Sequence, residues 1–96
     1  MTNITSSTNL NLTASDNVNL SGGLAYSVQN ITGPGAINLT DTVTMMTTTG
    51  ANAYTLADGT AEGQLKIIIM KVDGGNATVT PDNYINGTSI LFNNVN

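Results

Sequence analysis

"GQLKIIIMKVDGG", residues 63–75, decides how the fold is read. Taken as a strand, it points Leu65, Ile67 and Ile69 to one side and Ile68, Met70 and Val72 to the other. It has no polar face. A strand that is apolar on both faces has to be covered on both. The chain around it has little to offer as cover, because it is only 96 residues long and consists mostly of Asn, Thr, Ser and Gly.

Composition narrows the choices. Apolar residues make up 40% of the chain, many of them Ala, with one Phe, no Trp and three Tyr. With neither Cys nor His, no disulfide and no Cys- or His-based metal site can hold the fold together. Small folds without such staples commonly find their missing burial in oligomerisation. Lys66 and Lys71 stand against six carboxylates, for a net charge of −4. That balance argues against a nucleic-acid partner, which needs clustered basic residues, and against an anionic membrane surface. No apolar run approaches spanning length, and "MTNITSSTNLNL" lacks the basic start and apolar core of a signal peptide. Synthesis in a cytoplasm is the expectation.

Asn (14) and Thr (16) make almost a third of the chain, while Glu, Lys, Arg and Gln are scarce. Asn favours turns, Thr favours strands, and no window shows a 3.6-residue apolar period. An all-β protein follows. Residues 1–35 read as an extended arm: Leu10, Leu12, Val18, Leu20, Leu24, Tyr26 and Val28 share one parity, broken by "ASDN" at 14–17 and "SGG" at 21–23. "TGPG" at 32–35 ends it, since Pro34 cannot donate to a ladder. Residues 36–96 read as a β domain. Ile37, Leu39, Val43 and Met45 alternate with polar residues as one half-buried strand. Asp58-Gly59 marks a tight turn, the central strand spans about 64–72, and "DGGN" at 73–76 turns the chain. "ATVTP" and "SILFN" flank a turn at Asn86-Gly87. Short strands with frequent turns suggest a small antiparallel sandwich or barrel. "NLNLT" at 9–13, "VNLS" at 18–21 and "INLT" at 37–40 echo one another. Their unequal spacing departs from the constant period of a β-helical array.

Each candidate motif has a plain structural reading. Seven Asn-x-Ser/Thr triplets begin at Asn3, Asn11, Asn19, Asn30, Asn38, Asn76 and Asn86, above the roughly three that composition predicts. Without a secretory signal, polar strand positions two apart account for them better than glycosylation does. Single Asp residues at 58 and 73 suit turns, because no oxygen-rich calcium loop is present. "GPG" and "DGG" lack the helix and the Lys of a phosphate loop. No cofactor is expected. One Glu, no His and no G-x-S-x-G motif leave nothing for acid–base or nucleophilic work, so an enzyme is not expected.

Residues 50–94, about half the chain, resemble a module recurrent in tailed-phage virion proteins. Its pattern is an alternating strand, L-x-D-G-x-x-x-G-Q-x-K, an apolar strand, D-G-G, T-x-T-P, and N-G-T before a final I-x-F. Leu56, Asp58, Gly59, Gly63, Gln64, Lys66, Asp73, Gly74, Gly75, Thr80, Pro81, Gly87, Thr88, Ile90 and Phe92 match it. The resemblance implies a capsid decoration (cement) protein, commonly trimeric, on the outer capsid surface of a bacteriophage, with the major capsid protein as partner. Leu65, Ile67, Ile68, Ile69, Met70 and Val72 are then the expected subunit interface. The expected capsid-binding arm carries Leu10, Leu12, Val18, Leu20, Leu24, Tyr26 and Val28. A head or tail fibre or spike module is the alternative within virions. A carbohydrate-binding module is a further one, with only Tyr26, Tyr54 and Tyr84 to form an aromatic platform.

Overall fold

A computed structural model of the chain describes residues 3–5, 8, 10–85 and 87–93. Residues 1, 2, 6, 7 and 9 of the expected arm, and Asn86 of the expected Asn-Gly turn, lie outside them. Among the described residues there is no helix. Seven strands follow in order: β1 (Val28–Thr32), β2 (Gly35–Ile37), β3 (Val43–Thr47), β4 (Asn52–Leu56), β5 (Ile67–Val72), β6 (Ala77–Pro81) and β7 (Ile90–Phe92).

The chain alternates between two sheets. One has the order β1-β3-β5; the other has β2-β4-β6-β7. Every pairing is parallel except β6 with β7. The expectation of an antiparallel sandwich or barrel is therefore corrected: the sheets do not close on each other, and only the last pairing is antiparallel. From β1 to β6 consecutive strands do not pair, because each corner sends the chain to the other sheet. A strand's neighbour is the next but one, and the intervening strand serves as the crossover that parallel pairing requires. The result is a coil of three two-strand turns, with β7 folded back over the last.

The core lies between the sheets: Ile37, Met46, Tyr54, Ala77 and Val79 are buried, with Ile31, Leu56, Ile68, Met70 and Phe92 packed against them. Register brings inward residues into columns, Ile31–Met46–Met70 in the first sheet and Gly35–Tyr54–Val79 in the second. Gln29 fills the interior of the first turn. Its Oε1 accepts from Thr44 Oγ1 at 2.8 Å and from the Asn38 amide at 3.0 Å, while its Nε2 donates to the Ala36 carbonyl at 3.1 Å. This gives buried Thr44 a partner, which a hydroxyl removed from water requires.

The corners stack as tightly as the strands. Gly74 N–H donates to Thr48 Oγ1 at 2.7 Å, Thr48 N–H donates to the Val72 carbonyl at 3.0 Å, and Asn52 N–H to the Asn76 carbonyl at 2.9 Å. A Cβ on Gly75 would lie 2.5 Å from both the carbonyl carbon and oxygen of Gly50. The two glycines of "DGG" thus let one corner rest on the corner before it.

Three further expectations change. Residues 37–45 are not one strand: β2 and β3 belong to different sheets, joined by a bend where Asn38 Nδ2 donates to Asp41 Oδ2 at 2.8 Å and Asp41 N–H to Asn38 Oδ1 at 3.1 Å. In β3 it is Thr44 and Met46 that are buried, with Val43 and Met45 turned outward. Asp58-Gly59 makes no hairpin; it lies in the loop between β4 and β5, where Asp58 accepts from Asn83 Nδ2 and Gln64 Oε1 accepts from the Thr60 amide at 2.7 Å. Val28–Thr32, assigned to the arm, is β1 and pairs with β3. Ahead of it, residues 10–27 form no strand and are all exposed. The radius of gyration is 16.4 Å, against about 12 Å for a compact chain of this length.

Candidate interaction surface

The outer faces of the two sheets differ in chemistry. On the β2-β4-β6-β7 sheet the outward columns are Ala36–Thr55–Thr80 and Ala53–Thr78–Leu91, which are Ala and Thr apart from Leu91. On the β1-β3-β5 sheet they are Val28–Val43–Ile67, Asn30–Met45–Ile69 and Thr32–Thr47–Val72. Six of these nine residues are apolar, forming a stripe interrupted by Asn30, Thr32 and Thr47; Val28, Ile69 and Val72 are exposed, at 41%, 40% and 48%, while Val43, Met45 and Ile67 are half-buried. Parallel sheets are normally covered on both faces. Here one face holds the core and the other stands open.

The expected interface residues fall into two groups. Ile67 and Ile69 face outward in this stripe, and Leu65 is exposed just before β5. Ile68 and Met70 face inward and pack against the core, so the chain's own interior covers that side. Val72 was expected beside them. A register shift between Met46 and Thr47 leaves Lys71 as an extra residue on β5, pairs Val72 with Thr47 and turns it outward. No local sequence signal marks that bulge. Val43 and Met45 were missed as surface residues because alternation reports a face without saying which face is the core.

In the expected arm, Leu10, Leu12, Val18, Leu20, Leu24 and Tyr26 are all exposed, and Val28 opens β1 at the edge of the stripe. The Tyr residues do not gather into a platform: Tyr54 is buried in the core, while Tyr26 and Tyr84 are exposed.

Two titratable groups are perturbed. The Tyr54 hydroxyl has no hydrogen-bond partner among the described residues, and burial raises its pKa above the usual tyrosine value. Lys66 Nζ donates to the Asp41 carbonyl at 2.6 Å. Partial burial lowers its pKa, and the Asp41 carboxylate acts in the opposite direction. Among the described residues there is no ligand-sized pocket and no group of three or more His, Cys, Asp or Glu able to hold a metal ion. Among the same residues no helix is long and apolar enough to cross a membrane.

The residues that carry the virion-module resemblance serve the architecture. Gln64 and Lys66 tie the β4–β5 loop to residues 39–41, Gly74 and Gly75 stack the corners, and Leu56 and Pro81 are register partners. No family model, curated protein or solved structure matches the chain.

Proposed function

We propose that this chain is a structural protein of a tailed-phage virion, a homotrimeric decoration protein on the outer capsid surface. The observation that carries the reading is the open apolar stripe Val28–Val43–Ile67 and Met45–Ile69 on a parallel sheet. Three copies packing these faces around an axis give the sheet its missing cover, and soluble monomers rarely leave such a patch open. The virion assignment itself rests on the resemblance at residues 50–94, whose matched residues build the corners and the β4–β5 loop.

The mechanism is adhesive and involves no bond-making step. A trimer seated over junctions between major capsid subunits opposes the outward pressure of packaged genome, because each bridge must detach before the shell opens. The exposed Leu and Tyr side chains of residues 10–27 supply area for attachment, and three arms acting together amplify a weak single contact. With a net charge of −4 and two Lys, attachment relies on apolar contacts and backbone hydrogen bonds. Nucleic acid and membrane are not partners in this reading.

Counting copies in purified particles by mass spectrometry tests it. Hundreds of copies per virion, with DNA lost at lower temperature from particles lacking the protein, is the expected result. A few tens of copies or fewer, with undiminished particle stability and failed adsorption to cells, establishes the second reading, a fibre or spike module. That reading draws support from the coil itself, whose first sheet ends in unpaired edges at both β1 and β5 and so suits stacking along an axis.

A further inference from the structure

The five Asn-x-Ser/Thr triplets that precede β3 are ordered in a way their number does not reveal. They begin at Asn3, Asn11, Asn19, Asn30 and Asn38, giving spacings of 8, 8, 11 and 8. Each has Ile or Leu at its centre, and the last four are preceded by Leu10, Val18, Gln29 and Ile37. Two of the five sit in or beside strands. Asn30 is an outward residue of β1 between inward Gln29 and Ile31; Asn38 follows buried Ile37 at the end of β2. A spacing of 8 therefore separates matching places in the two strands of one turn. From Asn11 to Asn30, and from Asn19 to Asn38, the spacing is 19. The same offset of 19 relates stacked turns in the second sheet, where Gly35 pairs with Tyr54.

Residues 10–13 and 18–21 thus have the sequence of one more turn of coil, placed before the first. In that register Leu10 and Leu12 continue the inward column beside Gln29 and Ile31, and Val18 and Leu20 lie beside Ile37 and Leu39. The edges they would meet are open, since β1 pairs only with β3 and β2 only with β4. Yet the chain does not fold this segment onto its own edge. Leu10, Leu12, Val18 and Leu20 are 56%, 67%, 54% and 63% exposed. Between the segment and β1 lie Gly22 and Gly23, where an added Cβ would meet nothing within 4 Å. That is a hinge without packing to hold it, the arrangement through which identical elements exchange between copies.

We infer that residues 10–21 dock on a second copy of the chain, where 10–13 adds a parallel strand to β1 and 18–21 runs on beside Ile37, the last residue of β2, and the bend that follows it. The main chain supplies the hydrogen bonds and the four apolar side chains supply the specificity, as in strand addition generally. The inference stands apart from the virion reading. If both hold, residues 10–21 tie neighbouring copies together on the shell, and the exposed Leu24 and Tyr26 that follow them remain for capsid contact.

Cysteine pairing tests this in the full chain, which has no Cys of its own. Neighbouring parallel strands are about 4.8 Å apart, within the Cα range of a disulfide. Asn11→Cys and Asn30→Cys alter exposed residues and leave the core intact. Mixed and oxidised, the two single variants should give the mixed cross-linked pair in several-fold higher yield than Asn17→Cys mixed with Asn30→Cys. Equal yields overturn the inference. So does a double variant Asn11→Cys/Asn30→Cys that closes only within one chain while the mixed single variants stay unlinked, since the segment then docks on its own coil.

Discussion

Gly75→Ala probes the stacked corners most directly. The new Cβ would meet the carbonyl carbon and oxygen of Gly50 at 2.5 Å and its Cα at 2.9 Å, all of them backbone atoms. Carbon atoms pack at about 3.5–4.0 Å, so the two corners must separate by roughly 1 Å. Overpacking of this kind costs roughly 1–3 kcal/mol. Separation also loosens the bonds on either side, Gly74 N–H to Thr48 Oγ1 and Asn52 N–H to the Asn76 carbonyl, at about 1 kcal/mol each. The expected loss is about 3–5 kcal/mol, a large part of the roughly 5–15 kcal/mol available to a chain of this size. For a small domain that lowers Tm by more than about 10 °C. Differential scanning calorimetry reads the shift, with Gly22→Ala as a control that meets nothing and should stay within about 0.5 kcal/mol of the parent. A Gly75→Ala protein melting within 2–3 °C of the parent, as a rough margin on the same scale, would refute the stacking argument.

Ile68→Asp and Ile69→Asp separate the core from the interface. The first puts a carboxylate among core residues and should unfold the chain, read by circular dichroism; the second should leave a folded chain that sediments as a monomer. Tyr54→Phe removes a buried hydroxyl that has no partner among the described residues and should stabilise the fold by about 1 kcal/mol. The same variant carries the pH dependence. Burial holds the Tyr54 pKa above its unfolded value, so its contribution to stability is complete below about pH 10 and is lost as pH rises through the folded value. Lys66 runs the other way, because a lowered folded pKa makes its contribution improve as pH rises past that value. Alkaline unfolding monitored by fluorescence should therefore move to higher pH in Tyr54→Phe. Deleting residues 2–26 should leave a folded coil that no longer coats particles. Attachment of the intact chain should survive moderate salt, since few ion pairs exist to screen; release by salt alone counts against an apolar interface.

Local features were legible in the sequence and pairing partners were not. The all-β class follows from Asn, Thr and the missing helix period; the apolar strand expected over about 64–72 forms over Ile67–Val72, and the "DGG" corner follows it as expected. The last two strands were readable as a hairpin because they are neighbours in the chain. The parallel coil was hidden because its turns differ in length. Register offsets are 15 from β1 to β3, 24 from β3 to the start of β5, 19 from β2 to β4 and 25 from β4 to β6, so no constant period survives for a repeat search to find. The outer stripe was half visible. Ile67 and Ile69 stood out, but Val43 and Met45 were assigned to the core because Thr44 does not look buried until Gln29 gives its hydroxyl a partner.

The middle turn, β3 with β4, is the one with a paired turn on each side, and it holds Thr44, Met46, Thr48 and Tyr54, all buried. Coils of this kind resemble a one-dimensional chain of units, each stabilised by its nearest neighbours. The centre gains two couplings where the ends gain one. Folding should therefore nucleate at β3–β4 and propagate outward, slowly, because each step closes a long loop. Changes at Met46 should then retard refolding, whereas changes in β1 or β7 should mainly hasten unfolding, as expected for residues that join after the transition state.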